Sequence, residues 1–403
     1  MSGEERALRV LHVIDGLGIG GAEVQLTLLL RHLPAERFAH MVCYVGGRAD
    51  LAGEIRSLGI EVRGLSRGSR LAPVAAAWEL IGHIRRFRPA LVHTDGILGN
   101  LYGRVAARLC GLPVLTTVGL TLAPAGRIRA SNPQASLGRR LIWLIGPVTG
   151  RMWTTHFMAI TEAVKKTVVQ VYGVPEQRVS VVYRGIDLRR MTPAPHSEIT
   201  ALRAALTPPG AWPVLLNVGR LTGQKGQEYL IRALPRIRAA HPGAVVLLAG
   251  QGDLEPSYRA LAGELGVAAA VRFLGVRPDV PRLLQAADLF VFPSIYEGAG
   301  VALLEAMAMG RPIVAARAPA VVEVAGDAAA LVPLRDPEGL AEAVIALATD
   351  RDRQADLGAR ARRRIEAEFD IAVNAQKFGA LCERVAGPLP LIRSGAPVGG
   401  AVR

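Results

Sequence analysis

Short apolar runs that stop at a glycine-containing turn and lead into a helix recur along this chain, and that alternation constrains the fold more than any other feature. Residues 8–14 read as a buried strand, followed by the Gly-rich stretch Asp15–Glu23 and an apolar helix from Val24 to Leu33. Strand-like segments follow at Met41–Val45, Glu61–Leu65 and Ala90–His93, with helices at Leu51–Leu58, Pro73–Phe87 and Leu98–Leu109 between and after them. Phe157–Ile160 and Val179–Tyr183 continue the series, and Thr161 stands where a helix N-cap belongs. A second series runs through Val214–Val218, Val245–Ala249, Val271–Leu274, Asp288–Phe292, Pro312–Ala315 and Ala330–Val332. Helices are expected at 337–349, 352–367 and from Ile371 to Val385. Regular strand–helix alternation predicts an α/β fold built on doubly wound parallel sheets. Residues 188–212 are Pro-rich and lack periodicity, so they read as the linker between two series, and 403 residues suit two domains.

In such sheets ligands bind at the carboxyl ends of the strands. The richest of these ends is Ser294-Ile295-Tyr296-Glu297-Gly298-Ala299-Gly300-Val301-Ala302-Leu303-Leu304-Glu305, a strand end, a Gly-containing turn and the start of an apolar helix. The free N–H groups of a helix start bind phosphate or hydroxyl oxygens, and a carboxylate beside them accepts from sugar hydroxyls. Glu297 in the turn and Glu305 in the helix therefore suit a ligand carrying both a diphosphate and a sugar. Gly219-Arg220-Leu221-Thr222-Gly223-Gln224-Lys225-Gly226 sets two cations and three glycines at another strand end. Arg binds phosphate bidentately and Lys acts as a point charge, so Arg220 and Lys225 are a plausible diphosphate clamp. The N-terminal turn with Gly20 and Gly21 is equally compatible with a dinucleotide-binding turn or with a tight connection alone. Gly250 ends a third strand.

Taken together, S-x-x-E-G-x-G-x-x-x-L-E-A-M-A-x-G-x-P, R-x4-K-G and G-x-G-G-A-E resemble the signatures of retaining glycosyltransferases of family 4. The resemblance runs from Leu8 to about Val385 and implies a GT-B fold, two Rossmann-like domains facing each other across a cleft. By that resemblance residues 1–187 bind the acceptor, joined by a returning helix at 371–386, and residues 188–370 bind the nucleotide sugar. Glu297, with Gly298, Ala299, Gly300 and Val301, would face the donor sugar and phosphates. Glu305 would hold the ribose, Arg220 and Lys225 with Gly219 the diphosphate, and the backbone at Leu274 and Val276 the base. Gly20 and Gly21 would lie under the donor phosphates. His93 and Asp95 would stand beside the reacting sugar, although the family usually carries His where this chain has Asp95. Packing at the strand end accounts for His93 equally well. Two further departures are Arg184 in place of the usual Asn of N-G-I-D, and Ala299 in place of an aromatic. The implied reaction is hexosyl transfer from a nucleotide-sugar donor substrate to an acceptor hydroxyl, as in polysaccharide, envelope glycan or glycolipid synthesis, with no cofactor and no metal. A nucleotide-sugar epimerase and a non-catalytic donor-binding subunit are the alternatives.

The net charge is +14, almost all of it from Arg, which favours anionic partners. From Gly96 to Thr161 there are seven arginines and no acidic residue. Within that stretch, 127–153 joins basic residues to an apolar, Trp-containing run, as suits a helix lying on an anionic membrane and equally a buried helix with Arg at its edge. No nucleic-acid-binding motif overlaps it. Three distant cysteines and the lack of a signal peptide or membrane span predict a cytoplasmic protein, peripheral on the inner face of the cell membrane at most. The Gly/Pro-rich residues 387–403 read as a disordered tail.

Overall fold

The computed structural model describes residues 7–65, 72–120 and 137–387. Among the described residues, thirteen strands form two sheets in which every strand pairing is parallel. The first contains β1 (Leu8–Ile14), β2 (Phe38–Tyr44), β3 (Glu61–Gly64), β4 (Leu91–Asp95), β5 (Val114–Val118), β6 (His156–Ala159) and β7 (Val179–Val181), in the order β3-β2-β1-β4-β5-β6-β7. The second contains β8 (Val214–Val218), β9 (Val245–Ala249), β10 (Val271–Gly275), β11 (Leu289–Phe292), β12 (Ile313–Ala316) and β13 (Ala330–Val332), in the order β10-β9-β8-β11-β12-β13. Parallel neighbours need a crossover, and helices supply it while covering both sheet faces. That explains why β9 and β11 read as unbroken apolar runs: every residue in them is buried.

Strand order reverses between β1 and β4 in the first sheet and between β8 and β11 in the second. A crevice opens at such switch points, outside the carboxyl ends of the strands. Asp15 and Asp95 follow from the first pair, and Gly219–Lys225 and Ser294–Gly300 from the second. The two crevices meet. Thr161 Oγ1 donates to Gly298 O at 3.0 Å, and a Cβ on Gly298 would lie 1.9 Å from Gly119 O, so only glycine allows that approach.

Helix Ile371–Ala386 returns to the first sheet. Its Ile371, Ala375, Phe378 and Leu381 join Leu8, Val10, Leu28 and Leu91 in one hydrophobic cluster. The linker expectation needs correction. Residues 188–212 contain helix His196–Leu206, held to the second sheet by Arg203, whose guanidinium pairs with Asp288 at 2.8 Å. Its apolar positions are only partly covered, which removed the periodic signal. Strand β5 and helix Pro319–Ala325 also escaped the sequence reading. Arg127, Arg129 and 388–403 lie outside the described residues.

Candidate active site

On the second sheet, β11 ends at Pro293 and Gly300 turns the chain at φ +73° into helix Val301–Ala308, whose N-terminus no side chain caps. Glycine is needed there because a left-handed conformation is costly for other residues. The loop after β8 lies alongside. Ile295 N donates to Gln224 O at 2.9 Å and Gln224 Nε2 to Tyr296 O at 3.0 Å, so the two loops are stitched together. Lys225 Nζ donates to Glu297 Oε1 at 2.5 Å and sits 5.8 Å from the centre of the Phe292 ring. Glu297 is buried, with a side chain only 5% exposed. Buried Gln227 donates to Arg220 O at 3.0 Å and to Asn217 Oδ1 at 3.2 Å, which fixes the turn that presents the exposed Arg220.

Glu305 follows one turn into the helix. Burial pushes its carboxyl up to about 7, and among the described residues it makes no hydrogen bond or ion pair. A half-buried carboxylate in that position is poised to accept from ligand hydroxyls. Gly250 N donates to Gly275 O at 2.7 Å, drawing together the ends of β9 and β10, where Leu274 is half-buried and Val276 is 53% exposed. The methyl group of Ala299 is buried in the hydrophobic core.

On the first sheet, Asp95 accepts from Gly96 N at 2.7 Å. Burial pushes its pKa up to about 6, against the opposing pull of Arg184. Asp15 caps helix Ile97–Leu109 through Ile97 N at 2.9 Å and Gly99 N at 2.7 Å. The glycine loop brings Gly20 and Gly21 to the domain junction. A Cβ on Gly21 would lie 2.8 Å from Arg184 Nη1 and 3.4 Å from Val301 Cγ2.

His93 is not part of this constellation. Its ring is buried, bonded through Nδ1 to His12 Nδ1 at 2.9 Å and through Nε2 to Thr117 Oγ1 at 2.7 Å, and it meets Phe378 edge-on at 5.2 Å. His12 in turn contacts His40 Nδ1 at 3.0 Å. Side chains alternate across a strand. Residues two apart share a face, so His93 differs from Asp95 in depth along β4, lying beneath Phe378 of the returning helix rather than at the open strand end. Burial lowers its pKa to about 3, so the ring stays neutral.

Sequence reasoning assigned no role to Asp15, Glu23, Gly119 or Gln227, and noted Arg184 only as a departure. Asp15 was signalled by its place directly after the first strand. Among the described residues, no group of three or more His, Cys, Asp or Glu could hold a metal ion, and no helix is long and apolar enough to cross a membrane.

Comparison with known proteins matches the two sheets separately. A model described as Glycosyltransferase Family 4 covers residues 19–190, and one described as Glycosyl transferases group 1 covers residues 212–350. The GDP-mannose-dependent monoacylated alpha-(1-6)-phosphatidylinositol monomannoside mannosyltransferase of Corynebacterium glutamicum is 35% identical over 204 residues, 48% of this chain and 53% of that protein. The D-inositol 3-phosphate glycosyltransferase of Salinispora arenicola is 32% identical over 292 residues, 68% of this chain and 64% of that protein. The chain spans about half the length of several curated relatives it matches. Among solved structures, Anabaena HepE in complex with UDP and glucose superposes with a TM-score of 0.78 at 22% identity, covering 93% of this chain and 99% of that one. WaaG, a glycosyltransferase involved in lipopolysaccharide biosynthesis, gives 0.70 at 19% identity over 93% and 99%. These likenesses show that the fold is GT-B.

Proposed function

We propose, from the premise that this chain belongs to the family 4 glycosyltransferases, that it transfers a hexosyl unit from a nucleotide sugar to an acceptor hydroxyl with retention. The observation that carries the reading is the meeting of Arg220, the Lys225–Glu297 pair and an uncapped helix start at one switch point, with Glu305 unpartnered beside them. Residues 188–370 hold the donor. Residues 1–187, with helix 371–386, hold the acceptor.

In the transfer, the bond between the anomeric carbon and the diphosphate oxygen breaks. The acceptor oxygen bonds to that carbon on the same face, and its proton passes to the leaving phosphate. Two charges develop and need fixed, preorganised partners. Arg220, Lys225 and the N–H groups at the start of helix Val301–Ala308 offset the charge gathering on the diphosphate. Glu297 accepts from hydroxyls of the sugar as its ring becomes cationic, and its bond to Lys225 holds it in register. Glu305 accepts from the ribose, Asp95 from a sugar or acceptor hydroxyl, and the β10 end around Leu274 and Val276 borders the base.

The acceptor belongs to an envelope glycan or glycolipid. Supporting that are the +14 charge and an apolar surface on helix Leu137–Trp153, where Val148 is 57% and Met152 67% exposed, close to Leu109 at 70%. Arg108 and Arg151 are the nearby described cations. Binding to anionic vesicles in a flotation assay, lost in Val148→Glu/Met152→Glu, tests the membrane part.

The chemistry is tested by incubation with UDP-, GDP- and ADP-hexoses and candidate acceptors, followed by product analysis. Nucleoside diphosphate and an α-linked glycoside are expected, and Glu297→Ala or Lys225→Ala abolishes both. Accumulation of a donor epimer, or full activity in both variants, overturns the reading.

A further inference from the structure

Arg184 lies where the two crevices meet. Its Nη1 is 2.8 Å from the Cβ position of Gly21, whose other near neighbour is Val301, the first residue of the proposed phosphate-binding helix; its Nη2 is 3.0 Å from the Cβ position of Gly119. The side chain is half-buried, yet among the described residues it makes no hydrogen bond or ion pair. Asp95, Glu23 and Glu297 act on it through space. The guanidinium N–H donors thus lie in the space between the glycine loop and a helix start, with no acceptor among the described residues taking them.

We infer that Arg184 is a third diphosphate-binding cation, supplied by the first domain to the nucleotide held by the second. The inference rests on the glycosyltransferase reading and deepens it. Charge decides between the two anions that could arrive there. On the second sheet, Arg220 and Lys225 face a leaving group of two or more negative charges, and Lys225 already shares its charge with Glu297. On the first sheet, Asp15, Glu23 and Asp95 disfavour a second anion and favour an uncharged, hydroxyl-bearing acceptor. The anion that satisfies Arg184 is therefore the diphosphate beside Val301.

The test is titration calorimetry of the full chain and of Arg184→Gln and Arg184→Lys with UDP, GDP and ADP, and with the matching monophosphates. The diphosphate that binds the wild type is expected to bind Arg184→Gln at least tenfold more weakly, with partial recovery in Arg184→Lys. The monophosphate, which lacks the outer phosphate, is expected to bind all three proteins within about twofold, which also shows that the variants are folded. Equal diphosphate affinity in wild type and Arg184→Gln overturns the inference. Failure of every nucleotide to bind the wild type removes the underlying reading and this inference with it.

Discussion

Glu305→Gln should make the protein more stable above neutral pH while weakening its hold on nucleotide. Burial raises the Glu305 carboxyl from 4.5 to about 7. The unfolded chain gives up this proton near 4.5 and the folded protein keeps it to about 7, so the folded state binds more protons in that window. Stability is therefore fully present below pH 4.5 and is lost as pH rises through 7. At about 1.36 kcal/mol for each pH unit of difference, holding the ionised carboxylate in place costs about 3 kcal/mol at pH 8. For a unit of this size that corresponds to roughly 6–12 °C in Tm. Paired thermal melts of wild type and Glu305→Gln between pH 5 and 8.5 measure it. The two should nearly coincide at pH 5 and diverge in favour of Gln as pH rises. The same carboxylate accepts from the ribose in our account, so nucleotide affinity of the wild type should rise through pH 7, while that of Gln stays low and flat. A difference in Tm that does not change with pH would refute the burial argument. A nucleotide affinity unchanged by the substitution would refute the ribose assignment.

Three other consequences are open to measurement. Lys225→Ala leaves Glu297 buried without its partner, so chemical denaturation should show a loss of about 3–5 kcal/mol, and Lys225→Met/Glu297→Gln should recover part of it without recovering turnover. Glu323 accepts from Glu162 N at 2.6 Å, Ala163 N at 2.8 Å and Tyr183 OH at 3.0 Å, tying the second domain to a helix start of the first; Glu323→Ala should cost about 1 kcal/mol and enlarge the radius of gyration in small-angle scattering. Burial lowers His40 to about 4 and His93 to about 3, so the stability that neutral rings contribute is complete above 6.5 and falls as pH drops toward 4. His93→Gln should therefore flatten the acid limb of the stability profile and leave kcat within about twofold, and a hundredfold loss of kcat would return His93 to the reacting centre.

Where the sequence was informative, local chemistry and long-range placement agreed. β1, β8, β9 and β13 have the limits expected from apolar runs bounded by glycine or proline. Glu297 and Lys225, 72 residues apart, meet because β8 and β11 are neighbours at a strand-order reversal, which two adjacent strand-end motifs could suggest. His93 shows the limit. A histidine near a strand end reads the same whether it reaches the crevice or is covered one period earlier; the two-residue period puts His93 and Asp95 on one face, and only Phe378 of the returning helix shows that His93 is covered. Helix His196–Leu206 was masked by prolines on both sides and by a face only half covered. Arg184 was visible as a departure, but its meaning depends on Gly21, Gly119 and Val301, which only the folded chain brings around it.

The most direct test of the donor site is a thermal-shift titration of the wild type and Lys225→Ala with UDP, GDP, ADP and their hexose conjugates. A ligand at a hundred times its Kd stabilises the folded state by about 2.7 kcal/mol. The account predicts a clear rise in Tm with one nucleotide base and its sugar conjugates, lost in Lys225→Ala. No rise with any of them, or a rise that survives in Lys225→Ala, would contradict it.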